Sequence, residues 1–213
     1  VGTAVWLIDE YGKRIRYYHV CSSNECIRAA LYHLKSTVVH PSVMMRKSEV
    51  LKVGGYRVQF KYAQDYDLWL RLLDHCKIEN IPLALLKQRK VCASLSMVKR
   101  LEQYRYGLYA LKCAQARLEN RAEPDLSEIQ LSGEDIRTIH VRAGKELLLL
   151  GKHRDAQVEF NQATGQASEQ QLKIWLTLCK MGRKGVWLAR TKEMVKGYLS
   201  AVLAPLRYRA YEL

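Results

Sequence analysis

The stretch AQDYDLWLRLLDHC, residues 63–76, places two carboxylates two positions apart, Asp65 and Asp67, where helical spacing begins. Asp65, Trp69 and Leu72 recur on one face, with Leu68 and Leu73 flanking them. D-x-D spacing can clamp a divalent metal onto a nucleotide diphosphate. An Asp that opens a helix can instead cap it, or act as a general base, because the helix dipole and free N–H groups favour the ionised carboxylate there. A base must also lie within hydrogen-bond reach of the proton it removes, and a helix start at a cleft edge offers that. The metal reading fails on its surroundings. Such a clamp is expected on a loop just after a hydrophobic strand, whereas "FKYAQ" is a poor strand and the residues after Asp67 are helical. Asp67 then reads as a first-turn acid that favours the helix dipole. Asp65 is left as a cap or a base.

The elements that must position this helix are α/β in character. "TAVWLI", "DEYG" and "KRIRYY" predict strand, turn and strand, with Asp9 and Gly12 in the turn. Residues 22–35 predict a loop and a short helix. "HPSVMMRKS" predicts a short buried strand after Pro41, and "SEVLKVGGY" a single helical turn capped by Ser48 and stopped by Gly54 and Gly55. "KIENIP" and "LALLKQRKV" predict two short strands. From Met97 onward only helices are expected, over 97–120, 133–150, 152–166 and 168–182. "AGKELLLLGKHRDAQVEFNQAT" has the small and large spacing of a tetratricopeptide-like helix pair. Only one such unit occurs, and an array needs about three, so a small helical bundle is expected. The division is an α/β part, residues 1–96, and an all-α bundle, residues 97–213.

The chain of 213 residues carries a formal net charge of +14. Residues 97–179 are close to balanced, whereas 180–213 are strongly basic. A basic tail meets phospholipid or nucleic acid, or is a solvated face. The tail mixes Lys and Arg with Trp187, Leu188, Tyr198, Leu199, Val202, Leu203 and Leu206, and Pro205 predicts a break or kink. An interfacial helix on an anionic membrane through 180–211 needs that mixture. A helix whose apolar side closes the bundle uses it equally well. No RNP-like aromatic strand, zinc finger or helix-turn-helix is found, so nucleic acid is not an expected partner. No window is long and apolar enough for a transmembrane helix. The six cysteines form no C-x-x-C, and reduced thiols in a cytoplasmic protein are expected.

The run "HPSVMMRKSEVLKVGGYRVQFKYAQDYDLWLRLLDHCKIENIPLALLKQRKVCASLS" resembles the C-terminal part of the catalytic domain of family 2 glycosyltransferases of GT-A fold. That family reads roughly H-P-S, a hydrophobic strand, an Arg, G-G-Y or G-G-F, then E-D-x-D-L-W-x-R, and a strand ending in Y-R. "VGTAVWLIDEYGKRI" resembles the stretch just after the family's metal-binding D-x-D, so the likeness covers about residues 1–96. The resemblance implies that sugar passes from a nucleotide-sugar to an acceptor hydroxyl with inversion, and that Asp65 is the general base. The acceptor is a saccharide or a lipid-linked one, as in cell-envelope polysaccharide synthesis, which places the protein in the cytoplasm or peripherally on the membrane's cytoplasmic face. The implied substrate-binding set is His40, Gly54, Gly55, Gln64, Trp69, Arg71 and Arg89.

Each of these residues also has an ordinary reading. His40 can be a structural His, and Gly54 and Gly55 can serve backbone geometry. Trp69 can be core, Arg71 can anchor the helix to a carboxylate or carbonyl, and Arg89 can be a surface Arg. Two departures matter: Gln64 stands where the family has Glu, and Val91 where a His can join the metal. The divalent metal, Mg or Mn, is implied by the family, with its ligands expected before Val1. The nucleotide subsite would lie there too, so these residues alone are expected to be inactive or nearly so. Half of such a domain would expose a sheet edge, which predicts homo-oligomerisation or poor solubility unless a partner covers it.

Overall fold

A computed structural model describes the backbone at residues 1–92, 94–163 and 169–209, and side chains as far as Lys196 except at Leu95, Ser96, Glu169 and Gln171. The elements in order are β1 (Gly2–Ile8), β2 (Arg14–Tyr18), α1 (Asn24–Tyr32), α2 (Lys47–Lys52), α3 (Gln64–Leu72) and β3 (Asn80–Arg89). There follow α4 (Leu95–Val98), α5 (Arg100–Leu118), α6 (Gly133–Leu149), α7 (His153–Gln162), α8 (Glu169–Lys180) and α9 (Arg183–Arg209). Three-residue 3-10 turns cover His40–Ser42 and Leu126–Glu128.

The strand GTAVWLI is buried at every position, as a central strand covered on both faces must be. It pairs antiparallel with β2 and parallel with β3, giving the order β2-β1-β3. The β1–β2 turn is closed by the Asp9 carboxylate, which accepts from the N–H groups of Tyr11 and Lys13 at 3.2 and 2.9 Å. Gly12 supplies its positive φ of 83°. The two strands expected over "KIENIP" and "LALLKQRKV" are one strand, β3. Pro82 explains the difference: it has no N–H for the ladder, and the register skips from Thr3↔Ile81 to Ala4↔Ala84 around it. The skipped Pro82 carbonyl accepts instead from the Tyr17 hydroxyl at 2.7 Å. Ile81, Leu83 and Leu85 remain exposed on β3.

Three further expectations are corrected. "HPSVMMRKS" is not a buried strand: it begins as a 3-10 turn, and Met44 is exposed. The Ser42 hydroxyl is the cause. It accepts from the Thr3 N–H at 3.0 Å and donates to the Val39 carbonyl at 2.8 Å, holding the turn at the start of β1. Ser48 does not cap α2 but lies inside it, with Arg46 at the N-cap position. Cys21 and Cys26 are joined by a disulfide, against the expectation of reduced thiols, because the chain turns into α1 between them and brings their Cα atoms to 5.6 Å. Cys76, Cys92, Cys113 and Cys179 are free.

The main core lies between α3 and α5. Leu68, Leu70, Leu72 and Leu73 meet Tyr109, Ala110, Cys113 and Ala114, and Phe60 stacks on Tyr109 at 4.6 Å between ring centroids. The first long helix after residue 96 therefore buries its apolar face in the same core as the helix that carries Asp65. Farther on, Ser132 and Asp135 form a capping box that starts α6. The expected small and large pairing appears between α6 and α7, where a Cβ on Gly144 would stand 2.7 Å from the Phe160 ring. Gly144→Ala is thus expected to destabilise the fold by about 1–3 kcal/mol, even though Ala favours helix. Urea unfolding measures this, and an equal or higher midpoint would contradict the packing.

The described part of the basic tail lies on the sheet. Met194 joins the apolar cluster of β1 and β2, the Arg190 Nε donates to the Leu149 carbonyl at 2.7 Å, and Glu193 faces Arg16 at 3.9 Å. Trp187 and Val195 stay exposed on the same helix. The helix continues past Pro205 to Arg209, so the expected break is not there. The membrane reading also rests on side chains from Tyr198 to Arg209 that lie outside the described ones. Among the described residues no helix is long and apolar enough to cross a membrane.

Candidate active site

The site starts from the entry into α3. Ala63 occupies the N-cap position, so Asp65 is not the cap but the second residue of the helix. Its Oδ1 accepts from the Tyr66 N–H at 2.8 Å. The Asp65 side chain is half-buried on the wall of a cavity of about 460 Å³, which falls within the range of ligand sites. The cavity lies between the sheet, α3, α5 and α6, with His40, Tyr62, Trp69 and Tyr104 among its walls.

His40 and Trp69 meet edge to face, with ring centroids 5.8 Å apart. His40 Nε2 is 2.9 Å from the Tyr56 hydroxyl, which fixes the imidazole from the other side. Burial raises the Tyr56 pKa, and the Asp65 charge pushes the same way, so the phenol stays protonated at neutral pH. Trp69 is only 2% exposed, and its indole N–H has no acceptor among the described residues. It is core by burial and cavity wall by position. Tyr56→Phe should loosen His40 by about 1 kcal/mol, seen as a lower urea midpoint. An unchanged midpoint would show that the contact does not hold the imidazole in place.

Asp67, two residues away, has the opposite surroundings. It is fully buried between two guanidinium groups. Arg71 Nε and Nη2 donate to its Oδ2 at 3.0 and 2.6 Å, and Arg57 donates to both oxygens, at 3.2 Å from Nε and 2.5 Å from Nη2. Arg57 Nη1 continues to Glu123 at 2.8 Å, and Glu123 accepts from Arg117 at 2.7 Å. A first-turn acid serving only the helix dipole would face solvent. Asp67 does lie in the first turn of α3, as expected, but it is also the centre of a buried ionic network joining α3 to the linker after α5, which the sequence reading did not foresee. Its oxygens are engaged by four donors, so it cannot clamp a diphosphate metal. Among the described residues no group of three His, Cys, Asp or Glu side chains could hold a metal ion. The residues present do not fit the divalent cation that the resemblance implies.

The remaining candidates divide. His40, Trp69 and Asp65 come together on the cavity. Arg71 does not line it: besides Asp67, its guanidinium donates to the carbonyls of Val53 and of Gly55, the latter at 2.7 Å. Gly54 and Gly55 take φ of 79° and 66° to turn that carbonyl pair toward Arg71. Arg89 lies at the end of β3 and holds the β1–β2 turn, donating to the carbonyls of Asp9 and Glu10 at 3.0 and 2.6 Å. Gln64 is exposed at the first position of α3. The sequence reading passed over Tyr56, Tyr62, Tyr104, Arg16 and Arg142. Only Tyr56 had a local signal, its place directly after the two glycines.

Comparison with known proteins adds names to part of this chain. It is 35% identical over 92 residues to the O-antigen biosynthesis glycosyltransferase WbnJ of Escherichia coli, covering 42% of this chain and 35% of that protein. It is 34% identical over 120 residues to the amylovoran biosynthesis glycosyltransferase AmsE of Erwinia amylovora, covering 53% and 42% respectively. It is 34% identical over 79 residues to an Escherichia coli UDP-Gal:alpha-D-GlcNAc-diphosphoundecaprenol beta-1,3-galactosyltransferase, covering 37% and 27%. The chain thus spans less than half the length of each of these relatives. No protein-family model matches it, and neither does any solved structure.

Proposed function

We propose that this chain carries the acceptor side of an inverting glycosyltransferase of GT-A type that builds a cell-envelope polysaccharide. The observation that carries the reading is the position of Asp65. It is a carboxylate at a helix start, beside a cavity walled in part by His40, Trp69 and four tyrosines, in a chain similar to three proteins named for sugar transfer. Aromatic faces suit the apolar faces of a sugar ring. The acceptor hydroxyl lies against Asp65 and gives up its proton as its oxygen attacks the anomeric carbon of a nucleotide-sugar. The new C–O bond forms as the bond to the diphosphate breaks, and the nucleoside diphosphate leaves with the electron pair. One in-line attack with one base inverts the anomeric configuration. No step is assigned to a metal.

The full-length protein, given a nucleotide-sugar and an acceptor saccharide, is expected to form a glycoside of inverted anomeric configuration, read by proton NMR of the product. Retention of configuration, or hydrolysis of the donor with no transfer, would overturn the reading.

A further inference from the structure

The cavity beside Asp65 adjoins a second one of about 360 Å³, and Arg16, Tyr18, Lys90, Arg142 and Glu146 are among the residues that line both. Asp65, His40 and Trp69 line only the first cavity, so the shared residues mark where the two meet. The second cavity has five cationic side chains, Arg16, Lys35, Lys90, Arg142 and Lys145, against one carboxylate, Glu146. They come from β2, the segments after α1 and β3, and α6.

Most of this charge is not compensated. Lys90 pairs with Glu146 at 3.1 Å. Arg16 has Glu193 at 3.9 Å, but its Nε is buried with no hydrogen-bond partner among the described residues. The Lys145 ammonium stands 5.2 Å over the Trp175 ring. Arg142 is exposed and makes no ion pair or hydrogen bond among the described residues. Burial holds Lys145 below its ordinary pKa, and Lys192, Arg142 and Arg16 push the same way against Glu193. Like charges held this close in a half-enclosed space favour a multiply charged anion, and guanidinium groups favour phosphate oxygens.

We propose that the second cavity, where it adjoins the first, is a subsite for a diphosphate group, bound by Arg16, Arg142 and Lys145 without a metal. The sugar beside it rests on the glycosyltransferase reading; the anion does not. Two sources share this chemistry: the diphosphate that joins an acceptor sugar to a lipid, and the diphosphate of the nucleotide donor. In-line attack puts the leaving diphosphate across the anomeric carbon from the acceptor oxygen and its base. A cation cluster that adjoins the base's cavity, with Arg16 and Arg142 lining both, therefore fits the acceptor's own diphosphate.

The test is isothermal titration of the 213-residue chain with inorganic pyrophosphate at fixed ionic strength and without divalent metal. Saturable binding is expected, weakened about tenfold or more by Arg142→Gln and likewise by Lys145→Gln. Arg142 has no ion pair or hydrogen bond to lose among the described residues, so its variant should melt like the parent. Asp65→Asn should leave pyrophosphate binding within about twofold, because the site needs no base. Absence of saturable binding, or binding that both variants leave unchanged, would overturn the proposal. Two competitors then identify the source. Displacement of pyrophosphate by a short-chain lipid diphosphate carrying N-acetylglucosamine, but not by UDP, assigns the subsite to the acceptor. The reverse assigns it to the donor. Displacement by neither would count against a substrate subsite. Because pyrophosphate binding requires no sugar transfer, its failure is separable from failure of Asp65 as the base.

Discussion

Asp65→Asn in the full-length protein is expected to lower kcat for sugar transfer by about 10²–10⁴-fold, with acceptor KM little changed. The amide has nearly the shape of the carboxylate and keeps an oxygen to accept the Tyr66 N–H, now at 2.8 Å. It cannot take a proton from the acceptor hydroxyl. Asp65 is half-buried and makes no ion pair among the described residues, so the melting curve should overlay the parent's. Initial rates of nucleoside diphosphate release in the presence of acceptor read the effect. A kcat within about threefold of the parent would remove Asp65 from the role of base, whatever else the cavity does.

Asp67→Asn should do the reverse, damaging the fold. The substitution removes the negative charge that holds Arg57 and Arg71 together, whose side chains are 22% and 8% exposed. Breaking a buried ion pair from one side costs about 3–5 kcal/mol, because the remaining charges stay buried without compensation. That is a large share of the roughly 5–15 kcal/mol that holds an ordinary domain folded. The urea midpoint should fall accordingly, and the thermal midpoint by roughly 10 °C. A change under about 1 kcal/mol would show that solvent reaches the network and screens it.

The same network sets a pH dependence. Burial alone would raise the Glu123 pKa above its ordinary value of 4.5, but its hydrogen bonds to Arg117 and Arg57 outweigh burial and lower it. A carboxylate with a lowered folded-state pKa contributes stability that is fully present above its unfolded value and lost as pH falls through the folded one. Stability should therefore decline with acid below about pH 4.5, and less steeply in Glu123→Gln.

Much of the architecture was legible because apolar periodicity is a local property. The buried run of β1, the Asp9–Gly12 turn, and the helices of the second half follow from spacing within a few residues of each position. Errors arose where a single polar group redirected the backbone. Pro82 merged two expected strands around a register skip, and the Ser42 hydroxyl turned an expected strand into a 3-10 turn. The Cys21–Cys26 bond depended on where the chain turned into α1, which residue spacing does not specify.

The two aspartates separate what each level of organisation decided. By itself, the sequence determined that a helix begins near Asp65 and Asp67 and that its apolar stripe faces a core. Local rules treat both alike, as acids in a first turn. The resemblance set Asp65 apart, but only the tertiary structure showed what surrounds each of them, because a buried carboxylate needs partners and partners have no periodicity. Asp67 took Arg57, ten positions earlier, and through it Glu123, 66 positions from Arg57. Asp65 was left facing a cavity whose far wall is built from α6. Hydrophobic burial repeats along a chain and can be read from it. Charge pairing across a fold is settled by which distant segments the packing brings within about 3 Å, and that distance exists only once the chain has folded.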